Sequence, residues 1–111
     1  FIEKYNNNVN FTIILTPIDI IKKNFPENLS WTYTISKNHY IVYINEYRWN
    51  FGSKKLNNIK IKDYRKYVIN HEIGHVIGLD HKKCNLNKSN KSPIMMQQTK
   101  GTGLCEFNPY P

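Results

Sequence analysis

The chain has 111 residues, with 16 lysines and arginines against 8 aspartates and glutamates, a formal charge of +8. That length suits one domain with a modest core, and it contains no run of about 18 apolar residues that could span a membrane. The positive charge favours anionic partners, but the charges are scattered and form no nucleic-acid motif, so they read as a solvated surface with no specific nucleic-acid partner.

The elements follow in chain order. "NFTIILT", Asn10 to Thr16, is β-branched and apolar and reads as a buried strand that Pro17 ends. "PIDIIKKNF" reads as a short helix with Pro in its first turn and Ile18, Ile21 and Phe25 on one side. "SWTYTIS", Ser30 to Ser36, alternates as a strand. Lys37-Asn38 makes a turn and "HYIVYIN", His39 to Asn45, a second strand, so residues 30–45 predict a hairpin. "EYRWNFGSKKLNNIK" reads as an irregular polar loop. Asp63 is a candidate N-cap for a helix of about four turns, on which Tyr64, Val68, His71 and His75 share a face. Gly78 interrupts that helix near its end. Beyond His81 the chain is rich in Lys, Asn, Ser, Pro and Gly and reads as loop and turn, apart from the apolar "PIMM". The expectation is a single α+β domain over residues 1–111: a small twisted mixed sheet packed on the long helix, with an irregular C-terminal part. The chain begins with Phe1 rather than Met, as a processed product or an excised domain would.

Three of the four histidines fall in the eleven residues "HEIGHVIGLDH", His71 to His81. Residues four apart share one side of a helix, so His71 and His75 can face one ion. Glu72 stands beside the first ligand, directed at a water on that ion rather than at the ion itself. Gly78 lets the chain leave the helix and bring His81 round as a third ligand. Three histidines leave one coordination position open, the mark of a catalytic rather than a closed site. A zinc-bound water there has a pKa of about 7. Without a metal, three histidines on one buried face would strand polar groups. His39 reads as a surface or turn residue, not a fourth ligand.

Cys84 and Cys105 bracket a Pro- and Gly-containing loop. They would pair in an oxidising compartment and stay as free thiols in a reducing one, and their spacing does not choose. Asn10, Asn28, Asn87 and Asn90 lie in N-x-S/T sites, which fit secretion but arise by chance in an Asn-rich chain.

His71, Glu72, His75, Gly78 and His81 match every fixed position of the pattern His-Glu-x-x-His-x-x-Gly-x-x-His, and "SPIMMQQT" follows downstream. The sequence therefore resembles the metzincin zinc peptidases, in which a methionine turn packs beneath the metal-binding histidines. Met95 is the expected turn methionine and Met96 the alternative; either could instead simply fill the core. A closer resemblance is to an uncharacterised bacterial family of exported, metzincin-like domains. It rests on "INEYRW" (Ile44 to Trp49), Gly52-Ser53, "YRKYVINHEIGH" (Tyr64 to His75), "PIMMQQT" (Pro93 to Thr99) and "CEFNPYP" (Cys105 to Pro111), and is specific over residues 40–111. It implies one Zn²⁺ per chain on His71, His75 and His81, Glu72 as general base, Met95 and Gly78 as structural support, and Cys84 paired with Cys105. It also implies an exported or extracellular protein, but it supplies no substrate, because the activity of that family is not established. A peptide or protein substrate and a monomeric state are expectations of the zinc-peptidase reading itself.

Two departures stand out. Metzincin domains are usually longer ahead of this segment, so this one is either minimal or missing a piece. Gln97 and Gln98 occupy positions where some metzincins carry a tyrosine, which leaves Tyr110, Tyr43 or Arg48 as candidates for oxyanion stabilisation. "INEYRW" reads first as a strand end tied to its loop by hydrogen bonds and an ion pair. A functional version places residues 39–45 at the sheet edge, where an extended peptide can pair with them. The leading expectation is a zinc-dependent metallopeptidase, in which Glu72 activates a zinc-bound water. The alternative is a zinc-stabilised binding or structural module without turnover.

Overall fold

In this computed structural model the described residues are 10–111; the first nine positions of the expected 1–111 domain lie outside them. The fold is α+β, with a three-stranded mixed sheet and three helices. Strands β1 (Asn10–Thr16), β2 (Trp31–Ser36) and β3 (His39–Asn45) form a sheet of order β1-β3-β2. β1 runs parallel to β3, and β2 antiparallel. The predicted hairpin is present, with Asn38 at φ 60° in its turn, a conformation that asparagine tolerates.

Two strand expectations are corrected. β1 is an edge strand, not a buried one: Ile13, Ile14 and Leu15 are 43, 39 and 45 % exposed, while Phe11 packs on the core and Thr16 is buried. An apolar β-branched run specifies a strand, but its place in the sheet depends on a partner chosen elsewhere in the chain. Conversely, β3 is the central strand and pairs on both sides, so it offers no edge to a peptide. Among the described residues the sheet's edges are β1 and β2.

Helix α1 (Ile18–Asn24) follows Pro17 as predicted. Ile21 is fully buried, and Phe25 packs on Trp31 and Tyr43, with ring centroids 6.2 and 5.2 Å apart, fastening the helix end to the sheet. Helix α2 (Glu46–Phe51) occupies the stretch read as loop. Its cause is local: the Asn45 side chain accepts from the Arg48 N–H at 3.2 Å, an N-cap, and Gly52 at φ 74° ends the helix. Buried Asn45 also donates to the Asn28 carbonyl at 2.7 Å and takes a bond from its own N–H to Ser30 Oγ at 3.0 Å. The hydrogen bonds expected to tie "INEYRW" to its loop are therefore present, whereas no Glu46–Arg48 ion pair is found among the described residues.

Helix α3 (Ile61–Val76) begins three residues before the expected start, with Lys60 rather than Asp63 at the N-cap. Asp63 lies inside the first turn, where its charge still complements the helix dipole. Arg65 ties α3 to α2 by donating to the Trp49 carbonyl at 2.9 Å and by stacking over the Trp49 ring. The core is the face of α3 carrying Tyr64, Tyr67, Val68 and Val76, set against Val42 and Ile44 of β3. Each such apolar side chain contributes about 1.5–3 kcal/mol when fully buried. The two ion pairs among the described residues, Lys66–Asp63 and Lys100–Glu27, lie at the surface and add little.

Residues 77–111 are irregular, as expected, apart from a short 3-10 turn at Gln98–Lys100 and an isolated bridge between Lys91 and Glu106. The Cys84–Cys105 disulfide closes this part. Inside it, fully buried Gln98 donates to the Pro93 and Asn108 carbonyls and accepts from the Asn108 N–H. Asn70 donates to the Pro109 carbonyl at 2.8 Å and so holds the C-terminal segment against α3. Among the described residues no helix is long and apolar enough to cross a membrane.

Candidate metal centre

The last turns of α3 carry His71 and His75 on one face. The helix then ends in a Schellman motif: Leu79 N–H bonds the Gly74 carbonyl at 2.9 Å and Gly78 N–H the His75 carbonyl at 3.0 Å. Gly78 sits at φ 93°, where a side chain would be strained. This bend turns the chain back and delivers His81 beside the other two rings.

The donor atoms of His71, His75 and His81 all lie within 4.8 Å of one another, so the three can hold a metal ion. His75 Nε2 and His81 Nε2 are 3.1 Å apart. Two imidazole nitrogens on one tetrahedral ion stand about 3.3 Å apart, so this pair is close to bound geometry. The tautomers are set by backbone carbonyls. His71 Nδ1 meets the Ile94 carbonyl and His75 Nδ1 the Leu79 carbonyl, each at 2.9 Å. An Nδ1–H donated to a carbonyl leaves Nε2 with its lone pair facing the centre, as a ligand requires. Burial, then the neighbouring His75 and His81, pushes the His71 pKa down to about 4. His75 and His81 are also lowered, by burial first. All three rings are thus neutral at pH 7, the form that binds metals.

Glu72 faces the same cleft, and burial raises its carboxyl to about 7. Its one side-chain partner is Thr32 of β2, whose Oγ donates at 3.1 Å to Oε2. The cleft, of about 280 Å³, is walled by Trp31, Thr32 and Thr34 of β2, by α3, and by Gln97 and Thr99.

Met95 is buried and Met96 only partly so. A Cβ placed on Gly74 would collide with Met95 Sδ, so Gly74 admits the methionine beneath the helix between His71 and His75. The rest of this turn also serves the site. The Met95 carbonyl accepts from Lys82 N–H at 3.0 Å, next to His81. The Met96 carbonyl accepts from Tyr67 Oη at 3.0 Å.

The structure therefore brings His71, His75, His81, Glu72, Gly78 and Met95 together, and the disulfide lies three residues beyond His81. His39 is exposed at the start of β3, away from the cleft. Tyr110, Tyr43 and Arg48 do not line the cleft either: Tyr110 lies against Lys66, Tyr43 against Phe25, and Arg48 reaches toward Glu27. Sequence reasoning missed Gly74, Thr32 and the carbonyls of Ile94 and Leu79. A glycine inside a helix was a readable signal for the first; the others have none.

Fold and site define a small α+β domain with a three-histidine site able to hold a metal ion on its longest helix. The chain matches the model of the family described as "Protein of unknown function (DUF3152)" over residues 2–110 and belongs to that family. No curated protein and no solved structure matches it.

Proposed function

We propose that this domain is a zinc-dependent, metzincin-like peptidase. The observation that carries the reading is the convergence of three neutral imidazoles with a buried carboxylate beside them in an open cleft. Three nitrogen donors suit zinc, and a bound zinc supplies a Lewis acid and lowers the pKa of water to about 7. The chain's own residues do the rest. Glu72 takes a proton from the attacking water and passes it to the leaving amine. Thr32 holds the Glu72 carboxylate in place from β2. The carbonyls of Ile94 and Leu79 fix two of the rings, and Met95 supports them from below. An extended peptide pairs with the edge of β2 left open among the described residues, which takes the role that the alternative reading gave to residues 39–45. The disulfide supports an exported protein, since such bonds persist in oxidising compartments.

A second reading, a zinc-stabilised binding module without turnover, is favoured by one observation: Tyr43, Tyr110 and Arg48, the side chains expected to stabilise an oxyanion, stand outside the cleft. One experiment separates the two. Elemental analysis should give one zinc per chain for wild type and for Glu72→Ala, and digestion of a peptide library should fall about 1000-fold in the variant. Full hydrolysis by Glu72→Ala would refute the base assignment. Zinc in place with no cleavage by wild type would favour the binding module, and a protein without zinc would overturn both.

A further inference from the structure

Thr99 lines two cavities, the metal cleft and a larger basin of about 600 Å³. The basin is walled by Lys22 of α1, Arg48 of α2, Lys54 and Lys55 from the following loop, and Lys100. Its one carboxylate, Glu27, is paired with Lys100 at 3.1 Å. The other four cations have no carboxylate partner among the described residues. Arg48 is the most telling of them. Its Nη2 donates to the Glu27 carbonyl at 3.4 Å, while Nη1 is out of reach of solvent and has no hydrogen-bond partner. A desolvated, charged donor left unpaired is costly, and the guanidinium fork matches a carboxylate in shape and charge. Arg48 also stands near the wall between the two cavities: its charge acts on the buried Tyr64 hydroxyl, which is hydrogen-bonded to Thr99 Oγ1 at 3.0 Å.

We infer that this basin is an anion subsite that receives an acidic side chain, Asp or Glu, of the peptide held in the metal cleft. The inference rests on the peptidase reading for the peptide's course and on the basin's own charge for the rest. A nucleic acid is the poorer match, because its affinity comes from many phosphate contacts spread along a strand, and these cations surround one concavity.

The test uses zinc-loaded Glu72→Ala, so that peptides are bound and not consumed. A hexapeptide library is passed over the immobilised protein and the retained peptides are sequenced. Peptides with Asp or Glu should be enriched about tenfold over those with Asn or Gln, the scale of one charge-assisted hydrogen bond. Adding Arg48→Gln should abolish the enrichment, with zinc content and circular dichroism reporting that the fold survives. The double variant Lys54→Gln/Lys55→Gln changes exposed side chains only, and should reduce the enrichment without touching the core. Equal retention of acidic and amide peptides would overturn the proposal, as would an enrichment indifferent to both sets of substitutions. So would capture of a single-stranded DNA oligonucleotide through the same residues with no retention of acidic peptides. Wild type that cleaves nothing would sink the hydrolysis reading and leave this binding readout intact.

Discussion

Residues 10–76 and residues 77–111 solve the same problem differently. In the first region the backbone polar groups pair with one another in a sheet and three helices, and the apolar faces of β3 and α3 close on a shared core. In the second, regular structure shrinks to one 3-10 turn, and order comes from scattered backbone bonds, the buried amide of Gln98, Asn108 and one disulfide. Yet the second region supplies His81, the carbonyls that orient His71 and His75, and the methionine packed against Gly74 between them. The regular half presents two histidines at helical spacing, and the irregular half fixes where they point. A precise site does not require regular structure around it; it requires each polar group to have a partner.

The largest test of this contrast is the disulfide. Its partners are 21 residues apart, and closing such a loop is worth about 3 kcal/mol in the chain-entropy model. Cys84→Ser/Cys105→Ser should lower stability by that amount in urea unfolding. Hydrogen exchange should accelerate first in residues 82–106, with the β3 amides still protected. Uniform acceleration across the sheet would show that the two regions are one cooperative unit.

The contrast also explains how much of the molecule was legible in the sequence. The hairpin, α1 and the body of α3 follow from local periodicity, and β3 matches its predicted bounds. Glu46–Phe51 was missed because a capping asparagine and a terminal glycine, rather than an apolar stripe, define that short helix. The burial of β1 was misjudged, and the alternative that put β3 at the sheet edge fails, because strand order is a long-range choice. The histidines, Glu72 and Gly78 were legible because one helical turn and one bend relate them. Thr32 lies 40 residues from Glu72 and Ile94 lies 23 from His71, and no local pattern marks such pairs.

An effect of similar size, about 3 kcal/mol, belongs to the regular half and appears only without metal. Burial raises Glu72 from an ordinary 4.5 to about 7, so the folded state keeps this proton longer than the unfolded chain does. Its contribution is fully present below about pH 4.5 and is lost as pH rises through about 7. Chelated Glu72→Gln has no such loss. It should match chelated wild type near pH 4 and exceed it by about 3 kcal/mol at pH 8 in urea unfolding. Zinc should shrink the gap, since a nearby cation favours the carboxylate. Parallel stability curves across this range would mean that Glu72 is solvated rather than buried against β2.

The smallest expected change sits where the two regions touch. Gly74→Ala gains about 1 kcal/mol of helix propensity, but its methyl must displace Met95, and overpacking of this kind costs about 1–3 kcal/mol. The net should be a loss of about 1 kcal/mol, with weaker zinc affinity because the turn that carries the Ile94 carbonyl is pushed away from His71. Met95→Ala alone leaves a cavity beneath the histidines and should cost about 2–5 kcal/mol. In the double variant the alanine methyl occupies part of that cavity, so the two losses should add to more than the combined effect. A double-mutant cycle in unfolding free energy and zinc dissociation measures this directly. Strict additivity would mean that Met95 and Gly74 do not press on each other, and that the irregular half steadies the histidine-bearing helix by some other contact.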